Sequence, residues 1–191
     1  MEKIAEKADT PDTPVSGGGK NKEIDAMKNF GKLEITTPSG REIAFTRVFD
    51  APRQLVFDAW TKPELLKRWL YGPNGWSLAI CEIDMRVGGR YRYVWHHTNG
   101  TEMGMGGVYK EVVPPERIVN TQLFDQDWTG SEAVGTLVLT EKNGKTTSVN
   151  TVLYPSKQAR DGALRTPMAE GMEMGYMRMD EMFASLPQGS E

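Results

Sequence analysis

The sequence has little cysteine and little histidine: one cysteine and two histidines among 191 residues. A lone cysteine cannot form a disulfide within the chain, so the composition fits a reducing, cytoplasmic setting. Cys81 lies in the apolar segment 77–81, where a buried and unreactive thiol is expected. The histidines, His96 and His97, are neighbours on a predicted strand and would point to opposite faces. With no second cysteine either, the sequence predicts no metal site.

Signals for membranes, nucleic acids and cofactors are also missing. No apolar run approaches the roughly 18–20 residues that span a bilayer, and the charged N-terminus has no signal-peptide core. The formal charge is −3, from 23 basic and 26 acidic residues without a basic block, so neither nucleic acid binding nor membrane insertion is expected. Gly104 and Gly106 begin like a dinucleotide fingerprint, but Tyr109 stands where its third glycine belongs. The sequence therefore predicts no cofactor.

The most distinctive segment is long, amphipathic and rich in methionine, at 166–186. Thr166 is expected to cap a helix here and Pro167 to take its first position, and the helix would be about 30 Å long. Methionine suits irregular spaces and adaptable surfaces. The segment is therefore interpreted as a core helix or as a cavity wall. A third interpretation is that one end packs into the core and the other lines a cavity. Its apolar stripe consists of Met168, Met172, Gly175, Tyr176, Met179, Met182, Phe183 and Leu186.

The chain is predicted to hold one domain at residues 32–187, between a flexible N-terminal arm at 1–31 and a short tail at 188–191. The arm combines charge with proline and glycine, a composition that buries too little apolar surface to fold alone. Apolar and polar residues alternate at 33–35 and 41–49, which predicts the first strands.

Two short helices and six successive strands follow in the prediction. Thr61 and Glu64 form a capping-box pattern for the second of these helices. Tight turns join the later strands, among them the Asn-Gly pairs at 99–100 and 143–144. Strands in such hairpins are antiparallel. The predicted fold class is α+β, a curved antiparallel sheet wrapped around a long C-terminal helix.

A family resemblance is carried by seven blocks of the sequence. They lie at 41–52, 56–61, 68–69, 87–91, 107–112, 114–118 and 154–156. In this order they resemble the motifs of Hsp90 ATPase activator homologue-like proteins, a family of the START / Bet v 1-like (SRPBCC) superfamily. The resemblance covers roughly residues 35–186. It implies a helix-grip fold with a deep cavity between the sheet and the long helix.

Two predicted strands, 90–97 and 101–113, offer a candidate ligand wall. Alternation places their aromatic and methionine side chains on one face, opposite the methionine stripe of the helix. An apolar pocket with a few polar tips is the usual composition of a small-molecule site. A simple filled core is the other interpretation of the pattern. The candidate ligand residues are Tyr91, Tyr93, Trp95, His97, Met103, Met105, Tyr109, Met168, Met172, Tyr176 and Met179.

Three functions fit these observations. The first is non-catalytic binding of a small hydrophobic molecule, aromatic or acyl, between the sheet and the C-terminal helix. The second is an enzyme of the polyketide cyclase or hydrolase-like type, for which His97 is the candidate general acid or base; an ordinary rim histidine is the other interpretation. The third is a chaperone (Hsp90)-interaction module, which the name of the family suggests.

Apolar residues at polar positions are candidate contacts for a protein partner. Trp128 lies in the polar loop 125–131, and Met174 and Met177 lie on the polar side of the long helix. Large apolar side chains that stay exposed often mark an interaction surface.

Overall fold

A computed structural model describes residues 31–126 and 132–186 of the chain. The predicted arm (apart from Gly31), the predicted tail and Trp128 lie outside the described residues. The strands are β1 (Glu34–Thr36), β2 (Glu42–Phe49), β3 (Trp76–Ile83), β4 (Arg90–His97), β5 (Glu102–Val113), β6 (Arg117–Phe124), β7 (Ala133–Lys142) and β8 (Lys145–Leu153). The helices are α1 (Arg53–Thr61), α2 (Pro63–Leu66), α3 (Lys157–Leu164) and α4 (Met168–Ser185).

The strands form one antiparallel sheet in the order β1-β2-β8-β7-β6-β5-β4-β3. The predicted fold class is confirmed: a curved antiparallel sheet, two short helices after the first strands, and a long C-terminal helix. No helix in the described ranges is long and apolar enough to cross a membrane.

Both predicted Asn-Gly turns are present, but they are built differently. Asn143 and Gly144 have φ values of 54° and 72°, the pair of positive values that a type I′ turn requires. At the other turn Gly100 has a φ of 87° and donates its N–H to the His97 carbonyl at 2.9 Å. The N–H of His97 donates to the Thr101 carbonyl at 2.8 Å. This second turn is therefore a longer loop that ends in a left-handed glycine.

The predicted capping box of Thr61 and Glu64 does not form. Thr61 is the last residue of α1, and its hydroxyl donates to the Phe57 carbonyl at 2.8 Å. Lys62 takes the position before α2 without a side-chain cap, and Pro63 opens the helix with no N–H to satisfy. The prediction is wrong because α1 extends to Thr61, which bonds back along its own helix.

The C-terminal half of α4 packs into an aromatic core. α4 begins at Met168, one residue later than predicted. The Tyr176 ring is fully buried, with its centroid 5.5 Å from Phe49, 6.3 Å from Trp60 and 6.2 Å from Trp69. The indole N–H of Trp69 donates to the Ala59 carbonyl at 2.9 Å, which fixes this ring under the helix.

The two glycines of α4 have different surroundings. A Cβ at Gly175 would lie 3.3 Å from a ring carbon of Trp69, so this glycine lets the helix approach the indole closely. A Cβ at Gly171 would meet no atom within 4 Å.

We expect Gly171→Ala to raise the free energy of unfolding by about 0.5–1 kcal/mol, because alanine favours a helix over the unfolded chain. Gly175→Ala should gain less or destabilise the protein, because its methyl group presses on Trp69. Urea denaturation of both variants measures the difference. An equal gain at both positions would contradict the close packing of α4 on Trp69.

Candidate ligand-binding site

The inner face of β4 carries an aromatic wall. Alternation turns Tyr91, Tyr93 and Trp95 to the same side, and all three are buried. Ring centroids of Tyr91 and Tyr93 are 5.0 Å apart, and those of Tyr93 and Trp95 are 6.0 Å apart. Tyr109 of β5 lies 5.4 Å from Tyr91. The Trp95 indole donates to the Leu70 carbonyl at 2.8 Å. Four of the candidate ligand residues therefore form one continuous surface.

Tyrosine hydroxyls in this wall hydrogen-bond within the protein. Tyr91 donates to the Thr121 carbonyl at 2.7 Å and accepts from the Asn120 amide at 2.9 Å. The hydroxyls of Tyr93 and Tyr109 lie near each other. The two bonds of Tyr91 hold its ring in a fixed position along the sheet.

The wall is electrically neutral at neutral pH. Burial raises the pKa of Tyr91 and Tyr93 well above the ordinary value, and raises that of Tyr109 to about 12. Cys81 of β3 pairs with Tyr93 across the sheet, and burial also raises the pKa of its thiol. A surface of this kind suits an uncharged, apolar molecule.

Several inward-facing side chains in the middle of the sheet are only partly buried. Asn120 and Gln122 of β6 share a face with the buried Ile118. Asn150 of β8 shares a face with the buried Val152. Because these strands are not at a sheet edge, their exposure indicates space on the inner face.

The candidate methionines occupy two kinds of position. Met103 and Met105 of β5 are half-buried and pack against the core. Met168 and Met172 of α4 are likewise half-buried, with the Tyr154 hydroxyl 3.7 Å from the Met168 sulfur. Along α4, half-buried residues thus precede a fully buried part that contains both Tyr176 and Met179. The core interpretation applies to the later part of the helix, and the wall interpretation stays a prediction for its start.

His97 lies at the end of β4, against the loop that precedes β3. Its ring centroid is 5.0 Å from that of Trp76, and its Nδ1 accepts from the Asn99 N–H at 3.2 Å. The neighbouring His96 points away and pairs with Glu102 at 2.8 Å. Among the described residues, no three His, Cys, Asp or Glu side chains gather as a metal site.

The outer side of α4 leaves Met177 52% exposed, whereas Met174 is half-buried. Their role as partner contacts stays a prediction.

An arginine lies inside the fold. Arg47 of β2 is only 2% exposed, because alternation turns it to the same face as Phe45 and Phe49. Its guanidinium binds two carboxylates of α4, Glu173 at 3.2 Å and Asp180 at 2.5 Å. Burial raises the pKa of Asp180, and the contact with Arg47 opposes that shift. A buried charge needs such partners, because an isolated one is strongly destabilising.

Arg47 belongs to an inner polar cluster with Ser148, Asn150 and Tyr176. Ser148 lies directly across from Arg47 on β8, and Asn150 follows two positions along the same face. The Arg47 Cζ is 5.8 Å from the Tyr176 ring centroid. The Tyr176 hydroxyl lies near the Asn150 side chain but makes no hydrogen bond with it. In the described ranges, the Arg47 Nε, the Ser148 Oγ and the Tyr176 hydroxyl have no hydrogen-bond partner.

Of the four residues in the inner polar cluster, only Tyr176 is among the ligand residues predicted from the sequence. The sequence nevertheless carries a signal for the cluster. In the run 43–49 the alternation that turns Phe45 and Phe49 inward also turns Arg47 inward. In the last strand three of the four inward positions, Thr146, Ser148 and Asn150, are polar. Polar residues at core positions are uncommon and often functional.

A depression of about 660 Å³ lies on the opposite, outer face of the sheet. Glu82, Arg92 and Leu123 line it, and Arg92 forms two hydrogen bonds of 2.6 Å to Asp125. Of the candidate ligand residues, Tyr91 alone borders this depression among the described side chains. It is separate from the inner face.

The family model for activator of Hsp90 ATPase homolog 1-like proteins matches residues 50–184. A crystal structure of a Rhodobacter sphaeroides protein is 33% identical, over 81% of this chain and 99% of that one, with a TM-score of 0.77. An NMR structure of a Staphylococcus epidermidis protein is 26% identical, over 82% and 98%, with a TM-score of 0.68. A crystal structure of a Chromobacterium violaceum protein is 25% identical, over 74% and 96%, with a TM-score of 0.61. No curated protein is significantly similar.

The buried tyrosines predict a loss of stability in alkali. Burial raises the pKa of five of the six tyrosines in the folded state: Tyr91, Tyr93, Tyr109, Tyr154 and Tyr176. Unfolded tyrosines ionise near pH 10, roughly. Below that pH neither state loses these protons. Above it the unfolded state loses them first, so stability falls by up to about 1.4 kcal/mol per pH unit for each tyrosine.

Denaturant unfolding at a series of alkaline pH values measures this slope, and near-ultraviolet absorbance of tyrosinate reports ionisation. Tyrosinate should form together with the loss of circular dichroism. Ionisation of several tyrosines in the still-folded protein would show that the wall is open to hydroxide.

Proposed function

Because the chain belongs to the family of activator of Hsp90 ATPase homolog 1-like proteins, we propose that it binds a small hydrophobic molecule without transforming it. The molecule has an aromatic or acyl body and lies between the inner face of the sheet and the first two turns of α4. The proposed lining is Tyr91, Tyr93, Trp95, Met103, Met105, Tyr109, Met168 and Met172.

The observation that carries this proposal is the partial exposure of inward-facing residues. Asn120, Gln122 and Asn150 lie on interior strands and still reach solvent. The half-buried Met168 and Met172 belong to the part of α4 that precedes its aromatic core. Flexible methionines beside a rigid aromatic surface suit an apolar guest of variable shape.

Binding alone accounts for the wall better than catalysis does. The Tyr91 hydroxyl pairs with a backbone carbonyl and with an amide, and the hydroxyls of Tyr93 and Tyr109 lie near each other. None of these partners accepts a proton readily near neutral pH, so the wall lacks the base that a cyclase or hydrolase would use. His97 is engaged with Trp76 and Asn99 at the end of β4.

Met172→Trp is expected to weaken binding while the protein stays folded. The larger ring fills space beside the wall, and overpacking of this kind costs about 1–3 kcal/mol. The measurement is a thermal-shift screen with fatty acids, flavonoids and polyketide-like aromatics, followed by titration. A ligand at about 100 times its Kd adds about 2.7 kcal/mol, a rise in Tm of about 5–10 °C for a domain of this size.

Met177→Trp is the matched control, because Met177 lies on the same helix and faces solvent. It should bind like the wild type. Equal binding by both variants would place the ligand elsewhere, and mass spectrometry of recovered ligand would detect a product if the protein were an enzyme.

A further inference from the structure

The inner polar cluster concentrates unpaired hydrogen-bonding groups. Five buried side-chain atoms in the described ranges have no hydrogen-bond partner, and three of them belong to Arg47, Ser148 and Tyr176. These side chains are 2%, 0% and 0% exposed. An unpaired buried polar atom is unfavourable, and native proteins hold few of them. Three in one place indicate a site that is completed by another molecule.

The cluster adjoins the space on the inner face of the sheet. Asn150 is partly exposed and lies beside the Tyr176 hydroxyl. Met172, one turn before Tyr176 on α4, is half-buried. A molecule between the sheet and the start of α4 would therefore meet the cluster at its inner end.

Charge and hydrogen-bond capacity restrict what the cluster accepts. The Arg47 Nε–H can only donate, and the hydroxyls of Ser148 and Tyr176 can donate or accept. An oxygen atom is the complementary group. Glu173 and Asp180 already neutralise the positive charge of the Arg47 guanidinium. A negative charge on the ligand would therefore add little to its binding free energy there.

We propose that the inner polar cluster binds a neutral oxygen, a hydroxyl or a carbonyl, at one end of the hydrophobic ligand. This inference rests on the proposed function and specifies it: the ligand is an apolar body with one uncharged oxygen, such as a phenol or a ketone. The oxygen takes a hydrogen bond from Arg47 and exchanges others with Ser148 and Tyr176.

The experiment compares 2-naphthol with 2-methylnaphthalene, which has nearly the same shape and no oxygen. Fluorescence titration gives the two dissociation constants, and 2-naphthoate tests the effect of a negative charge. The wild type should bind 2-naphthol roughly tenfold more tightly than 2-methylnaphthalene, as one or two added hydrogen bonds allow. 2-Naphthoate should bind no more tightly than 2-naphthol.

Tyr176→Phe and Ser148→Ala, singly and combined, should remove this preference and leave the affinity for 2-methylnaphthalene unchanged. Tyr176→Phe keeps the ring that packs on Phe49, so the single variants serve if the double variant folds poorly. Thr146→Val is the matched control, because its buried hydroxyl is already paired with the Ala51 carbonyl at 2.7 Å. It should lower Tm and keep the preference.

Each outcome decides between the two proposals. If the wild type binds both probes equally, the proposed oxygen site is wrong and the proposed hydrophobic cavity stands. This result is expected if a water molecule satisfies the cluster whichever probe is bound. If the preference survives in the double variant but disappears in Tyr109→Phe, the oxygen lies on the tyrosine wall and the inference is overturned. If neither probe binds, both proposals fall.

Discussion

The buried guanidinium of Arg47 connects three parts of the fold. Arg47 of the sheet binds Glu173 and Asp180, which lie two turns apart on one side of α4. Because both carboxylates must reach the same group, the rotation and the axial position of the helix are fixed. Glu173 also accepts the Leu33 N–H at 3.3 Å. A Cβ at Gly31 would lie 2.5 Å from Arg47, so the chain enters the domain tightly against this charge.

This anchor divides α4 into two regions of different character. From Tyr176 onward the helix settles into aromatic packing: Tyr176 packs on Phe49 and Trp69, Phe183 also packs on Phe49, and these side chains are nearly inaccessible. Before it the helix offers half-buried methionines to the sheet. One end therefore supplies stability and the other carries flexible side chains that are only partly packed, which explains how a methionine-rich helix can serve a well-folded domain.

Local patterns in the sequence predict the architecture well, because each rests on short-range physics. Asn143-Gly144 specifies its turn through backbone conformation alone, and the period of α4 identifies the buried Tyr176 and Met179. The aromatic wall follows from simple alternation on β4. Tertiary context decides the rest: the extent of α1 redirects the Thr61 hydroxyl. The place of Arg47 depends on carboxylates more than 120 residues away.

Cys81 gives the protein a built-in chemical reporter. It is the sole thiol of the chain and lies beside Tyr93, inside the wall. Cys81 is 8% exposed, and burial keeps its sulfur in the less reactive, protonated form. The rate of its modification therefore reports how easily a reagent reaches the inner face of the sheet, and no label has to be introduced.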